Sequence, residues 1–393
     1  MAQRKKTPSV RLKREEAAPS FETWRARLEK AWAKEDAAKK DAESQNAAFL
    51  EVLRALGTPM IDGPTAHFVY YDPKARSVAI TGEFTEWAAR TIEMAPIANS
   101  GFFHYSHEFP QPTRIEYKLV VDGNWITDPF CPNRVDNGVG GENSYFVIGD
   151  FREPAELESH PEVPHGEVEE FGFDSKLLGN RRRVYVYLPP DYAQERDRRF
   201  PTLYVHDGGE YLDRAKLPVI LDNLAHSGAI AHLIAVMVDP VERTVEYRAN
   251  ENYARFVEEE LVPDIDRRYR TRTGRDGRGV MGASLGGLIS VYLALLRPHL
   301  FSKAGAQSAA LMIATEPIKT LIERLDTPGA FYFDVGEYEP RFIPAHREIL
   351  PLLESKGCRC LLQVVPAGHN WTSWRARLKD LLTFLWPPEP VAR

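Results

Sequence analysis

A succession of short apolar runs between residues 181 and 369 constrains this chain more than any other feature. They read "RRRVYVYLPPDY", "PTLYVHDGG", "AHLIAVMVD", "GRGVMG", "KAGAQSAA", "AFYFDVGE" and "CLLQVVPAGH", and helical stretches separate them. Strands that are apolar throughout, rather than alternating, belong to a mostly parallel sheet covered by helices on both faces. Functional residues in such sheets collect beyond the carboxyl ends of the strands.

At 393 residues the chain is too long for one ordinary domain, and the text ahead of these runs differs. Residues 65–150 carry "AHFVYYD", "SVAITGEF", "FFHYSHEF", "IEYKLVVDG" and "SYFVIGDF", β-rich runs separated by Gly, Pro, Asn and Asp. That is the pattern of an all-β sandwich. Proline, glutamate and histidine dominate residues 153–166, where a linker is expected. Phe21, Trp24, Leu28 and Trp32 recur at helical spacing, and a second helix is expected from about Ala47 to Leu56, stopped by Gly57 and Pro59. Acidic residues interleave with the basic ones here, so a solvated helix face is a better reading than a nucleic-acid arm. The expected organisation is a disordered start (1–18) and helical extension over 1–60, a sandwich over 61–152, a linker over 153–168 and an α/β domain over 169–390.

A hydrophobic fraction of 43% is ample for buried cores, and a net charge of -6 argues against nucleic acid or a membrane surface as partner. No apolar run approaches the roughly 18 residues of a membrane span. The basic N-terminus lacks the apolar core of a secretory signal, so a soluble, cytoplasmic protein is expected. Cys131, Cys358 and Cys360 are too few and too poorly spaced for a disulfide framework or a zinc site. No metal and no cofactor are expected.

The chemistry centres on "VMGASLGGLIS", where Gly282-Ala283-Ser284-Leu285-Gly286 spells Gly-x-Ser-x-Gly between an apolar strand and the helical "LGGLISVYLALL". Glycines at those positions permit a sharp turn that lifts a serine hydroxyl out of the sheet. A serine attacks only if a base removes its proton and the resulting oxyanion is stabilised. His369, in the loop after the last strand, is the expected base; His206 and His346 are weaker candidates. The "AFYFDVGEYEP" segment offers the acid, with Asp334 inside the strand, Glu339 preferred beyond it and Glu337 as the alternative. Ser284, Glu339 and His369 then follow in the Ser…acid…His order of α/β-hydrolases. The oxyanion hole is expected from the N–H of Leu285 together with the loop containing Gly208 and Gly209.

With these motifs the chain resembles the esterase-D-type branch of the α/β-hydrolases, in particular the enterochelin (enterobactin) esterase family. "VHDGGEY" at 205–211, "RTVEY" at 243–247, "NYARFVEEELVPDID" at 252–266, "GASLGG" at 282–287, "GEYEP" at 336–340 and "AGHNW" at 367–371 carry the likeness, over about residues 45–386. The resemblance implies nucleophile Ser284, base His369 and acid Glu339. The β domain resembles the immunoglobulin-like modules in front of glycogen-branching enzymes, through "VAITGEFTEW", "EYKLVVDGNWITDP" and "GENSYFVI". In glycan-binding versions exposed tryptophans stack on sugars, which makes Trp87 and Trp125 possible glycan contacts, with Lys118 and Asn143 nearby; packing roles in the sandwich are the expectation for both tryptophans. The implied function is a serine esterase of a bulky polar substrate such as a ferric siderophore. Arg243, Arg248 and Arg341 near site loops suit an anionic ligand, and Trp371 is a further substrate contact. The alternatives are a carbohydrate-ester (acetyl or feruloyl) hydrolase and a non-catalytic glycan-binding protein.

Overall fold

The computed structural model describes residues 19–33, 42–87, 91–138 and 140–388. The disorder expected over residues 1–18 lies outside these. The C-terminal half is an eight-stranded sheet. Its strands are β1 (Glu167–Ser175), β2 (Asn180–Leu188), β3 (Thr202–His206), β4 (Ile234–Val238), β5 (Arg278–Ala283), β6 (Lys303–Gln307), β7 (Ala330–Gly336) and β8 (Arg359–Val365). The spatial order is β1-β2-β4-β3-β5-β6-β7-β8. Only the β1–β2 and β2–β4 pairings are antiparallel; from β4 to β8 all neighbours run parallel. This is the α/β-hydrolase sheet.

Both faces are covered, which is why the strands read as continuous apolar runs. On β2, Val184, Val186 and Leu188 join one core while Tyr185 and Tyr187 join the other. On β7, Phe331 and Phe333 face the first core and Tyr332 the second. The helix Leu285–Leu296 is buried from Gly286 to Leu295, so it is apolar on every side rather than along one stripe. On the opposite face Gly305 makes room for the helix Leu378–Leu385, since a Cβ there would lie 2.9 Å from the Leu381 methyls.

The N-terminal half is a β-sandwich. One sheet contains Thr65–Tyr71 and Phe102–Glu108; the other contains Val78–Gly82, Thr113–Val121 and Glu142–Ile148. Phe68, Ile80, Ile115, Tyr117, Leu119 and Phe146 fill the space between. Helix Phe21–Trp32, capped by Ser20, and helix Ala42–Leu56 cover the outer face of the first sheet. Phe21, Trp24, Leu28 and Leu53 pack there on Val69, Ile97 and Phe102, so the helical spacing of the first three is a packing stripe. The segment 153–166 is not a free tether. Leu157 and Val163 are buried, and Asn223 Nδ2 donates to the carbonyls of Glu156 (2.9 Å) and Glu158 (2.8 Å). Among the described residues no helix is long and apolar enough to cross a membrane.

Trp24 is 2% exposed and meets Phe102 edge-on at 5.3 Å. Trp24→Ala should therefore cost about 3–5 kcal/mol. A clear drop in the denaturant midpoint checks this; an unchanged midpoint refutes the packing role.

Candidate active site

The parallel register places four strand ends side by side. Ala283 of β5 pairs with Gln307 of β6, Gln307 with Asp334 of β7, and Gly336 with Val365 of β8. Ser284, Ser308, Glu339 and His369 all follow within a few residues of these ends. Ser284 bridges β5 and the helix Leu285–Leu296 with φ 59° and ψ −119°, a conformation that a non-glycine residue holds only under support. The support is visible. Ser284 N–H donates to Gln307 O (2.8 Å), and its carbonyl accepts from Leu288 N (3.0 Å) and Ala310 N (3.0 Å). A Cβ on Gly282 would stand 2.5 Å from the Gly286 carbonyl carbon, and one on Gly286 2.9 Å from Asp207 Oδ2. The glycines are thus required by close backbone approach. Ser284 itself is half-buried at a helix N-terminus, where negative charge is favoured.

Glu339 is 4% exposed, and its carboxylate accepts from three sources. His369 Nδ1 lies 2.5 Å from Oε1; Ser308 Oγ (2.7 Å) and Gly336 N (2.6 Å) donate to Oε2. Burial opposes the charge, but the His369 bond and charge, with the bonds from Ser308 and Gly336, outweigh it and hold the carboxyl below its ordinary value. Glu337 is exposed, so the structure brings Glu339 and not its neighbour to the imidazole. The ring is clamped between Phe342 (centroids 5.0 Å) and Trp374 (4.9 Å, edge-on). Trp374 Nε1 in turn donates to Ser308 Oγ (2.9 Å). With Nδ1 on a carboxylate, Nε2 is the ring nitrogen left to handle a proton. Ser308 and Trp374 were not singled out by the sequence reading; the one signal for Ser308 is its place directly after β6, the neighbour of the serine strand.

The second loop is partly reassigned. Gly209 N–H donates to Asp239 Oδ1 at 2.7 Å, so Gly209 is already committed and does not serve as an oxyanion donor. Leu285 and Gly208 each open a helix, where the first N–H has no intrahelical acceptor. His206 is buried against Ser290 Oγ (2.9 Å), and burial pushes its pKa down to about 3. His346 is buried with Nδ1 2.9 Å from Phe342 O. Both are packing histidines.

Residues 175–385, more than half of the chain, match the family model described as "Putative esterase". The chain belongs to this esterase family. Residues 65–151 match the model described as the glycogen recognition site of AMP-activated protein kinase. The iron(III) enterobactin esterase of Escherichia coli O6:H1 is 25% identical over 300 residues, 71% of this chain and 72% of that protein. The endo-1,4-beta-xylanase/feruloyl esterase of Xylanibacter ruminicola is 25% identical over 287 residues, 67% of this chain. The chain spans only 37% of that protein's length. In structure, the ferric enterobactin esterase of Salmonella typhimurium aligns with TM-score 0.67 at 21% identity, covering 82% of this chain and 93% of that one. The enterochelin esterase of Shigella flexneri aligns with TM-score 0.67 at 19% identity and the same coverage.

Around Ser284, the arginines expected to meet an anion are mostly paired. Arg243 forms a two-point bridge to the buried Asp207 (2.7 and 2.8 Å), and its Nη2 reaches Ala283 O at 3.4 Å. The bridge compensates its charge inside the protein, while the side chain stays partly exposed. Burial raises the Asp207 carboxyl even against that partner. Arg341 pairs with Glu86 of the sandwich at 2.7 Å. Arg248 is exposed. Trp371 is half-buried, edge-on to Tyr211 (5.1 Å) and Trp374 (4.9 Å), so it extends the aromatic wall behind His369. The packing expectation fails for Trp125, which is 44% exposed on its short strand; Trp87 is half-buried. Asn143 is buried and donates to Glu116 Oε2 (2.8 Å), which removes it as a glycan contact.

The Glu339 environment gives a signed pH effect. A carboxyl whose folded value lies below its ordinary 4.5 adds stability that is complete above 4.5 and lost as the pH falls through the folded value. The stability gap between wild type and Glu339→Gln, read from urea midpoints, should therefore close as the pH falls from about 6 to about 3. A gap that ignores pH contradicts a depressed carboxyl.

Proposed function

We propose that this protein is a serine esterase in which Ser284 Oγ attacks an ester carbonyl and His369 Nε2 takes its proton. Glu339 orients the imidazole and balances its positive charge, while the N–H groups of Leu285 and Gly208 receive the oxyanion. The tetrahedral intermediate collapses as His369 returns the proton to the departing alkoxide. Water, deprotonated by the same histidine, then releases the acid from Ser284. The observation that carries this reading is the pairing of the buried Glu339 with the half-buried His369 beyond the strand ends, on the same edge of the sheet as a serine held at φ 59°.

For the substrate we propose a bulky polar ester, an enterobactin-like siderophore, hydrolysed in the cytoplasm. Support comes from the two-domain likeness to enterobactin esterases, which spans the sandwich as well as the sheet. Iron then arrives as part of the substrate, and no cofactor takes part. A second reading, a carbohydrate ester, is favoured by the exposure of Trp125 in a domain that matches a glycogen recognition site. Hydrolysis of enterobactin, feruloyl-sugar and short 4-nitrophenyl esters, compared side by side, separates the two.

Ser284→Ala should lower turnover on the order of a thousandfold or more, and His369→Ala about as much, with the double variant little worse than either. Glu339→Gln should cost less, and the exposed Glu337→Gln almost nothing. Turnover within about tenfold of wild type in folded S284A removes the mechanism, and greater damage from E337Q than from E339Q reassigns the acid. Passage of the whole protein over glycogen tests the second reading. Retention that Trp125→Ala abolishes, with unaltered melting, places the sugar ester ahead of the siderophore.

A further inference from the structure

We infer that Glu83, carried by the β-sandwich, is a positioning residue for His369, fixing from outside the esterase domain the turn that presents the imidazole. The inference rests on the reading of His369 as the base for Ser284. Glu83 is 2% exposed, in the single turn Glu83–Thr85 that follows strand Val78–Gly82. Its Oε2 accepts from Glu116 N (2.9 Å) in its own domain, and its Oε1 accepts from Asn370 Nδ2 across the interface. The Asn370 amide cannot turn round without loss. Its Oδ1 caps the helix Trp371–Arg375 by accepting from Ser373 N at 2.8 Å, so its N–H side must face Glu83.

The same carboxyl touches the backbone on the other side of the histidine. A Cβ on Gly368 would lie 2.3 Å from Glu83 Oε1, so only glycine lets the turn approach. Thr113 Oγ1, also from the sandwich, donates to Pro366 O at 2.8 Å. Sandwich contacts therefore fall at the third residue before His369, the residue before it and the residue after it. Behind this turn lies a cavity of about 220 Å³, lined by Pro112, Arg114 and Phe151 on one side and by Pro366, Ala367 and Asn370 on the other. Continuous packing does not hold the turn on that side, and these point contacts must do so. Phe342 and Trp374 set the tilt of the ring; Glu83 and Thr113 set where its backbone sits.

A buried carboxyl is costly unless its partners compensate it. Burial and the nearby Glu116 carboxylate push the Glu83 carboxyl above its ordinary value, against the bonds from Glu116 N and Asn370 and the charge of Arg114. Glu116 and Arg114 face it from strand Thr113–Val121, Asn370 faces it from the esterase domain, and its charge is felt at the Tyr338 phenol. Such a group is retained at a cost in stability, as is common for groups that organise a site.

The test reverses the hydrogen bond. In Glu83→Gln the new amide either opposes the Asn370 amide, donor against donor, or loses its bond to Glu116 N. Adding Asn370→Asp keeps the helix cap and supplies an acceptor for the amide introduced at position 83. On a short-chain 4-nitrophenyl ester, E83Q should lower kcat about tenfold with KM within about twofold, and E83Q/N370D should recover to within about threefold of wild type. Asn370→Ser, which still caps the helix but is too short to reach Glu83, should lower kcat as E83Q does and serves if E83Q fails to fold. Unchanged kcat in E83Q or N370S, or a double variant as depressed as E83Q, overturns the inference. S284A in the same assay keeps the failures apart. An active S284A brings down the serine mechanism and this inference with it, whereas an inactive S284A with a wild-type-like E83Q brings down this inference alone.

Discussion

The carboxylate of Glu339 is the point on which the site hangs. Three places at the carboxyl edge of the sheet, the segment after β6, the last residue of β7 and the segment after β8, converge on it through Ser308, Gly336 and His369. A buried charge of this kind costs several kcal/mol when left alone, and persists where partners return that energy. The convergence therefore does two things at once. It stabilises a carboxylate in a nearly dry place, and it fixes the imidazole that the carboxylate binds. Trp374 closes the circuit by binding Ser308 and walling His369, so a packing residue and an ionic one hold the same ring.

A comparable logic applies at Ser284, where the energy is stored in the backbone. A non-glycine residue at φ 59° persists because hydrogen bonds from β6 and from the following loop leave it no alternative. Asp207 and Arg243 support the same turn from the β3 side, with Asp207 against Gly286 and Arg243 reaching Ala283 O. An arginine beside such a serine turn invites a reading as a substrate anchor. Here its two-point bridge to a buried carboxylate makes it part of the scaffold.

The sandwich is more than an appended module. Asp136 pairs with Arg214 at 2.7 Å, Glu86 with Arg341 at 2.7 Å, and Thr113 binds Pro366 O, so its contacts fall on the segments that follow β3, β7 and β8. The surface carrying Trp125 remains exposed. One domain thus offers a wall to the esterase site and a separate aromatic surface to solvent.

Much of this was legible in the residues alone. Apolar runs that both faces of a sheet must bury announce an α/β domain, and Gly282 with Gly286 announces a serine turn, because backbone sterics and burial act over a few neighbouring residues. What the sequence left open was decided at long range. Glu339 and Glu337 are two residues apart and chemically identical; only the path of the chain after β7 buries the first and exposes the second. Gly209 looked as suitable an oxyanion donor as Gly208 until Asp239, thirty positions on, took its N–H. Arg243 is tied to Asp207, thirty-six positions back, and Trp125 keeps its face in water on its short strand. Periodicity and turn chemistry fix which elements form, since those are local energies. Which donor meets which acceptor depends on how the elements dock, and that only the tertiary structure decided.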